Sequence, residues 1–248
     1  MKTAIALGDI HYPFHNQTTI NIIKKVAKDL KPDYLIFGGD NWNADGISKF
    51  SSKAPDEGLI ETFNEMNEFH EKIFKMIQKS CHNDNLITHL ILGNHDGQRL
   101  TDFLNKAKEK GHNNIYNYWN NQFNYEKIFN CKITQYNDYI KIGKMNITHG
   151  EKHNKYHASS HLDIYMSSIL HFHLHTNQIY TRISKGNDAH QGISAPCCCD
   201  TNPDYLKNKA NTWINGFVII YFLPNGNFFY EIKQIIDKQT IVNGKIYK

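Results

Sequence analysis

The sequence predicts an α/β fold, and three observations predict it. Strand-like and helix-like segments alternate three times between residues 3 and 110. Each predicted strand in that stretch stops at a polar, glycine-containing segment. After Lys132 short strand-like runs take over. Alternating strands and helices argue for a parallel sheet covered by helices, and such sheets place ligand sites where their strands end.

Taken in order, residues 3–7 form a short apolar run ending at Gly8-Asp9, the pattern of a buried strand entering a loop. Residues 18–30 have helical spacing, with Ile22, Ile23, Val26, Ala27 and Leu30 on one stripe and Pro32 just beyond. Residues 34–37 read as a second buried strand, stopped by Gly38-Gly39-Asp40. Residues 59–79 read as one long amphipathic helix with Ile60, Phe63, Met66, Phe69, Ile73 and Ile77 on its apolar stripe. A third strand, 86–92, is closed by Gly93-Asn94-His95-Asp96, and a helix follows from about 98 to 110. Residues 112–124, rich in Asn and Tyr, read as a loop over the site or a partly helical insertion. Further strands are expected at 133–136, 139–142, 145–148, 179–183, 217–222 and 228–232, interrupted by one helix near 159–168. Asn225-Gly226 between the last two strands is a hairpin signal.

A chain of 248 residues can bury a substantial core. It reads as one domain, 1–248, with an insertion or lid at about 111–130. The net charge of +4, without a Lys/Arg block, tolerates a polyanionic partner but does not demand one. The apolar run at residues 4–7 meets Asp9 almost at once, so no secretory signal is expected. No apolar stretch approaches the ~20 residues of a membrane helix. The expectation is a soluble, cytoplasmic protein with no membrane partner (host cytoplasm if phage-encoded). Five cysteines, three of them the run Cys197-Cys198-Cys199, make a poor disulfide framework. Reduced thiols are the plain reading, and a metal or redox role for the triplet is the other.

Histidine is abundant, with fifteen residues, several of them between His149 and His175. Imidazole is a common neutral metal ligand. The polar signatures at the strand ends are Asp9-x-His11, Gly39-Asp40, Gly93-Asn94-His95-Asp96, His149-Gly150 and His173-x-His175. Each is weak alone. Their order and placement together are not, and they resemble the five-block signature of the calcineurin-like metallophosphoesterase superfamily. Asp9-Ile10-His11-Tyr12-Pro13-Phe14, Ser48-Lys49-Phe50, Arg99-Leu100 and Trp213-x-x-Gly216-Phe217 are most similar to its small phage-type members.

The resemblance implies a four-layer αββα sandwich of two mixed sheets flanked by helices. It implies a dinuclear metal-dependent phosphoesterase in which metal-bound hydroxide attacks phosphorus. Asp9, His11 and His175 would hold one metal, Asn94, His149 and His173 the other, and Asp40 would bridge them. Two divalent ions are expected, manganese first, with iron, zinc or nickel as alternatives. Carboxylates, imidazoles and an amide oxygen suit such ions. His95 would lie beside the leaving group. Asp96, the second catalytic candidate, would orient His95 or cap the turn. Tyr12 and Arg99 are candidate substrate contacts, with a surface salt bridge as the other reading of Arg99.

Two departures from the pattern bear on the structure. Asn43 stands where a supporting carboxylate is usual, and Phe172 stands where glycine usually precedes the last pair of histidines. His171-x-His173 offers the same spacing as His173-x-His175, but the polar Thr176-Asn177 favours the later pair. His153, His157 and His161 are four residues apart and would share a helix face, as a further metal site, as phosphate contacts, or as a solvated loop leading into a helix. Tyr116, Tyr118, Trp119 and Tyr125 could stack on nucleobases or pack an insertion. The expected substrate is a phosphate ester, either nucleic acid (DNA) or a nucleotide cleaved by a phosphodiesterase or nuclease. The alternatives are a small-molecule phosphomonoesterase and a non-catalytic binding module that kept the fold.

Overall fold

The computed structural model describes residues 1–186, 188–203, 207 and 209–248. The chain begins β1 (Lys2–Leu7), α1 (Gln17–Leu30), β2 (Tyr34–Gly38), α2 (Pro55–Phe69), α3 (Lys75–Ser80), β3 (Ile87–Ile91) and α4 (Arg99–Glu109). It continues with α5 (Asn113–Gln122), α6 (Tyr125–Phe129), β4 (Lys132–Thr134), β5 (Tyr139–Ile142), β6 (Met145–Thr148) and α7 (His157–Tyr165). The last elements are β7 (Ile169–His171), β8 (Gln178–Ile183), β9 (Ala189–Ser194), β10 (Gly216–Phe222), β11 (Phe228–Gln234) and the small hairpin β12 (Thr240–Val242) and β13 (Lys245–Tyr247).

One sheet has the order β11-β10-β1-β2-β3-β4, and the other β5-β6-β7-β9-β8. Strands β1 to β4 are mutually parallel, while β10 is antiparallel to β1 and to β11. In the second sheet β6, β7 and β9 are parallel, and β5 and β8 run antiparallel at the edges. Both sheets are therefore mixed, as expected. Side chains alternate along a strand, so in β1 Ile5 and Leu7 join the helix-facing core while Ala4 and Ala6 face the second sheet. The sheet-to-sheet core adds Ile36, Ile91, Met145, Ile147, Leu170, Phe172, Ile193, Val218 and Ile220. Helices α1, α2 and α3 cover the outer face of the first sheet. Helix α7 covers the second, where Gly192 allows the Ala158 backbone to approach. Among the described residues no helix is long and apolar enough to cross a membrane.

Differences from expectation have local causes. The helix expected at 59–79 starts earlier, at Pro55, a favoured first position. A π-helical turn at His70–Phe74 splits it, and the apolar stripe continues through that turn with Ile73 and Phe74 buried. The segment 112–124 is helical, as α5, and the short α6 follows. Strands β7 and β9 were not expected. Three residues are too few to show a period, and Ala189-His190-Gln191-Gly192 is too polar to read as a strand.

Phe172 is accommodated by glycines elsewhere. A Cβ on Gly8 would stand 2.6 Å from its ring, and one on Gly38 would stand closer still. The bulk expected to disturb the last histidine pair thus fills the space over two strand ends. Gly38→Ala is expected to lower unfolding free energy by about 1–3 kcal/mol through overpacking. Denaturant titration measures this, and combining it with Phe172→Ala should give less than the sum of the two single losses.

Candidate metal centre

All five motif blocks leave strand ends on one side of the molecule. Asp9 and His11 follow β1, Asp40 follows β2, and Asn94 and His95 lie in a π-helical turn, Asn94–Gln98, after β3. His149 follows β6, and His173 and His175 follow β7. Strands from both sheets therefore deliver side chains to one place.

The donors converge in two overlapping groups. His11 Nε2 is 3.2 Å from His175 Nε2, and His175 Nε2 is 3.7 Å from Asp9 Oδ1. His149 Nε2 is 3.0 Å from Asn94 Oδ1 and 3.2 Å from His173 Nδ1. Asp40 Oδ2 lies between them, 3.7 Å from His11 Nε2 and 3.3 Å from His149 Nε2. His95 Nε2 is 3.9 Å from the same oxygen. Among the described residues, His11-Asp40-His95 and Asp40-His149-His173 each bring donor atoms within 4.8 Å of one another.

The backbone is held in an unusual state to achieve this. Asp9, His11 and Asp40 have φ of 49°, His173 has 79° and His175 has 61°. Left-handed backbone costs an L-residue about 1–2 kcal/mol, and such strain concentrates at functional sites. Cross-links from the surroundings hold it. Asp9 N–H donates to Gly39 O at 2.9 Å and His11 N–H to Asp40 O at 2.8 Å. The Asp9 carboxylate accepts the His173 N–H at 2.9 Å, and Asp40 Oδ1 accepts the His95 N–H at 2.8 Å.

Burial sets the charge states. Asp9 is completely buried, which pushes its carboxyl up to about 8. Burial lowers His11 to about 4 and His173 to about 3, and it holds His175 well below the usual imidazole range, so these three rings are neutral with lone pairs available. Burial opposes charge on His149 too, but Asp40 and Asp9 override it and raise this ring to about 9. Buried carboxylates facing imidazole nitrogens and an amide oxygen form a donor set that fits divalent cations.

The sequence model of the calcineurin-like phosphoesterase family matches residues 2–211. The chain belongs to the calcineurin-like phosphoesterase family. No curated protein matches its sequence. Among solved structures it is similar to zinc-complexed wild-type Vps29 from Entamoeba histolytica, at 9% identity and TM-score 0.49, over 98% of this chain and 95% of that one. It is also similar to vacuolar protein sorting 29 from Cryptosporidium parvum, at 10% identity and TM-score 0.46, over 99% and 94%. For TT1561 of Thermus thermophilus the values are 9% and 0.35, over 77% and 98%.

In this family member the remaining candidates fall into place unevenly. The carboxylate of Asp96 does not orient the His95 ring. It is buried and accepts from Gly93 N–H at 2.5 Å and from Asn41 N–H and Nδ2, each at 2.7 Å, so it caps the turn. Tyr12 is buried and turns its hydroxyl to Glu68 and Lys72 on the α2 side. Arg99 stays beside the centre, with Nη2 donating to His95 Nε2 at 3.1 Å and Nη1 to Asn43 O at 2.8 Å and Asp45 Oδ1 at 3.1 Å.

Asn43 keeps the support expected of a carboxylate, since its Oδ1 is 3.0 Å from His11 Nδ1 while its Nδ2 donates to Asp45. His171 points away from the centre. It meets His157 at 3.3 Å and stacks on His161, forming a buried polar group under α7 rather than a solvated face. Trp119 packs on Phe63 and Phe123, and Tyr125 on Trp42, so those aromatics pack the 111–130 segment against the main helix-facing core, while Tyr118 is exposed.

All five cysteines are free thiols, and Cys199 Sγ lies 3.7 Å from His175 Nδ1. Asn41 and Tyr136, whose ring centre is 6.1 Å from that of His149, carry no sequence signal that would have singled them out.

Proposed function

We propose that this chain is a dinuclear metal-dependent phosphodiesterase or nuclease acting on nucleic acid or nucleotides. Asp9, His11 and His175 would hold one divalent cation, Asn94, His149 and His173 the other, and Asp40 would serve both. Manganese, iron, zinc and nickel all suit these donors. The observation that carries the reading is the placement of Asp40 Oδ2 between His11 Nε2 at 3.7 Å and His149 Nε2 at 3.3 Å. When bound, the cations supply Lewis acidity and an activated water near neutral pH.

The protein's own groups do the rest. His95 Nδ1 donates to Asn43 O at 2.9 Å, which fixes the ring and leaves Nε2 as the working nitrogen. Burial lowers the proton affinity of His95, Asp40 raises it, and Arg99 lowers it again. An arriving phosphoryl group draws the Arg99 guanidinium to itself and places negative charge beside His95. Both changes favour the protonated ring, whose Nε2–H then serves the departing oxygen. Trp213 stands edge-on to His175 at 4.2 Å between ring centres, and Tyr136 stands beside His149. An aromatic ring beside each donor group supports a substrate that carries bases, because every base has a face to stack.

The manganese-loaded protein should cleave bis-p-nitrophenyl phosphate and single-stranded DNA in preference to p-nitrophenyl phosphate. A steady-state preference for the monoester would sink the diesterase reading and favour a small-molecule phosphomonoesterase.

A further inference from the structure

We propose that His153 is the positioning residue for His173, fixing which of its ring nitrogens faces the metals. The inference rests on the reading above, in which His173 is a ligand. A ligating imidazole nitrogen is unprotonated, so the other ring nitrogen carries the proton and needs an acceptor. His11 points Nε2 inward and has Asn43 Oδ1 at 3.0 Å from Nδ1. His149 points Nε2 inward and has Gly38 O at 2.9 Å from Nδ1. His173 is reversed. Its Nδ1 faces His149 Nε2 at 3.2 Å, and its Nε2 lies 2.7 Å from His153 Nδ1.

With Nδ1 given to a metal, His173 Nε2–H donates outward and His153 Nδ1 accepts. The two rings meet at 60° with centres 4.7 Å apart, so the contact is edge-on and suited to a hydrogen bond. His153 is exposed, yet the backbone just before it is anchored. Glu151 N–H and Lys152 N–H donate to the buried His161 Nε2 at 3.0 and 3.4 Å. One loop after β6 therefore supplies both a ligand, His149, and the acceptor that orients a ligand from the loop after β7.

The test is calorimetric titration of the metal-free full-length protein with manganese chloride. The wild type should take up two ions. His153→Phe keeps a ring but offers no acceptor, and His153→Ala removes the ring. Each should weaken one of the two ions by about 10–100-fold while the other stays near its wild-type affinity. His153→Asn, whose Oδ1 can stand near the position of Nδ1, should recover most of the loss. Rescue by Asn but not Phe separates acceptor chemistry from simple packing. Two ions bound with wild-type affinities in both Phe and Ala variants would overturn the role of His153. A wild type that binds fewer than two ions would instead overturn the dinuclear reading itself, and this one with it.

Discussion

Asp40→Ala is expected to abolish uptake of both cations, whereas loss of any other single ligand should spare one of them. The expectation follows from position. Among the described residues, Asp40 Oδ2 is the carboxylate oxygen within 4 Å of imidazoles from both groups, His11 and His149, and the residue is 1% exposed. Without it each remaining group is left with three donors and less negative charge to offset two divalent ions.

Ala also removes the acceptor for the His95 N–H and places a residue poorly suited to left-handed backbone at φ 49°. Asp40→Asn isolates the charge. Asn tolerates that backbone, and its Oδ1 can keep the 2.8 Å bond to His95 N. In this variant His149 also loses the carboxylate that, against burial, helps raise it to about 9. It therefore becomes a more readily neutral ligand, so a failure to bind cannot be blamed on a protonated His149. Elemental analysis after desalting should give a metal content near zero for Asp40→Ala and a strongly reduced one for Asp40→Asn. Two ions per chain in Asp40→Ala would refute the bridging assignment.

The parts of this architecture that could be read from the sequence are those where composition and geometry coincide. Strands β1 and β2 are largely apolar runs because both faces are covered, β3 keeps Thr88 and His89 among its apolar residues, and each is followed by a glycine that the site needs. The proposed ligands lie at those strand ends, so Asp9, His11, Asp40 and Asn94 could be picked out in order. What could not be read depends on contacts between distant residues. Nothing in the sequence ties Asn41 to Asp96, 55 positions apart, or sets His153 against His173. The partners of Tyr12 were hidden for the same reason. It follows His11 directly, but the left-handed turn at His11 sends the next side chain toward Glu68. Phe172 looked disruptive because Gly8 and Gly38, which receive its ring, are more than 130 positions away.

His95→Ala is expected to leave both cations in place and lower turnover by ~10²–10⁴-fold, about 2.7–5.5 kcal/mol of barrier. Metal retention follows from where this residue touches Asp40. The hydrogen bond runs from the backbone N–H, which Ala keeps, while the ring nitrogen is 3.9 Å from the carboxylate and tied by Arg99 at 3.1 Å. Should metal content fall with the substitution, His95 is a ligand, which the proximity of His11, Asp40 and His95 would permit. A loss below tenfold on DNA or a dinucleotide, with full metal content, would remove His95 from the chemistry.

The substrate dependence of the loss separates the two tasks the ring could perform. A p-nitrophenolate leaves readily without a proton, whereas an alkoxide from a sugar does not. If His95 Nε2–H protonates the leaving oxygen, the penalty should be small on the aryl ester and large on DNA or a dinucleotide. If the ring only stabilises charge on phosphorus, the penalty should be similar for both. A measurable loss on either, in a variant that keeps its metals and its fold, also excludes a binding module without turnover, because a scaffold has no activity for His95 to support.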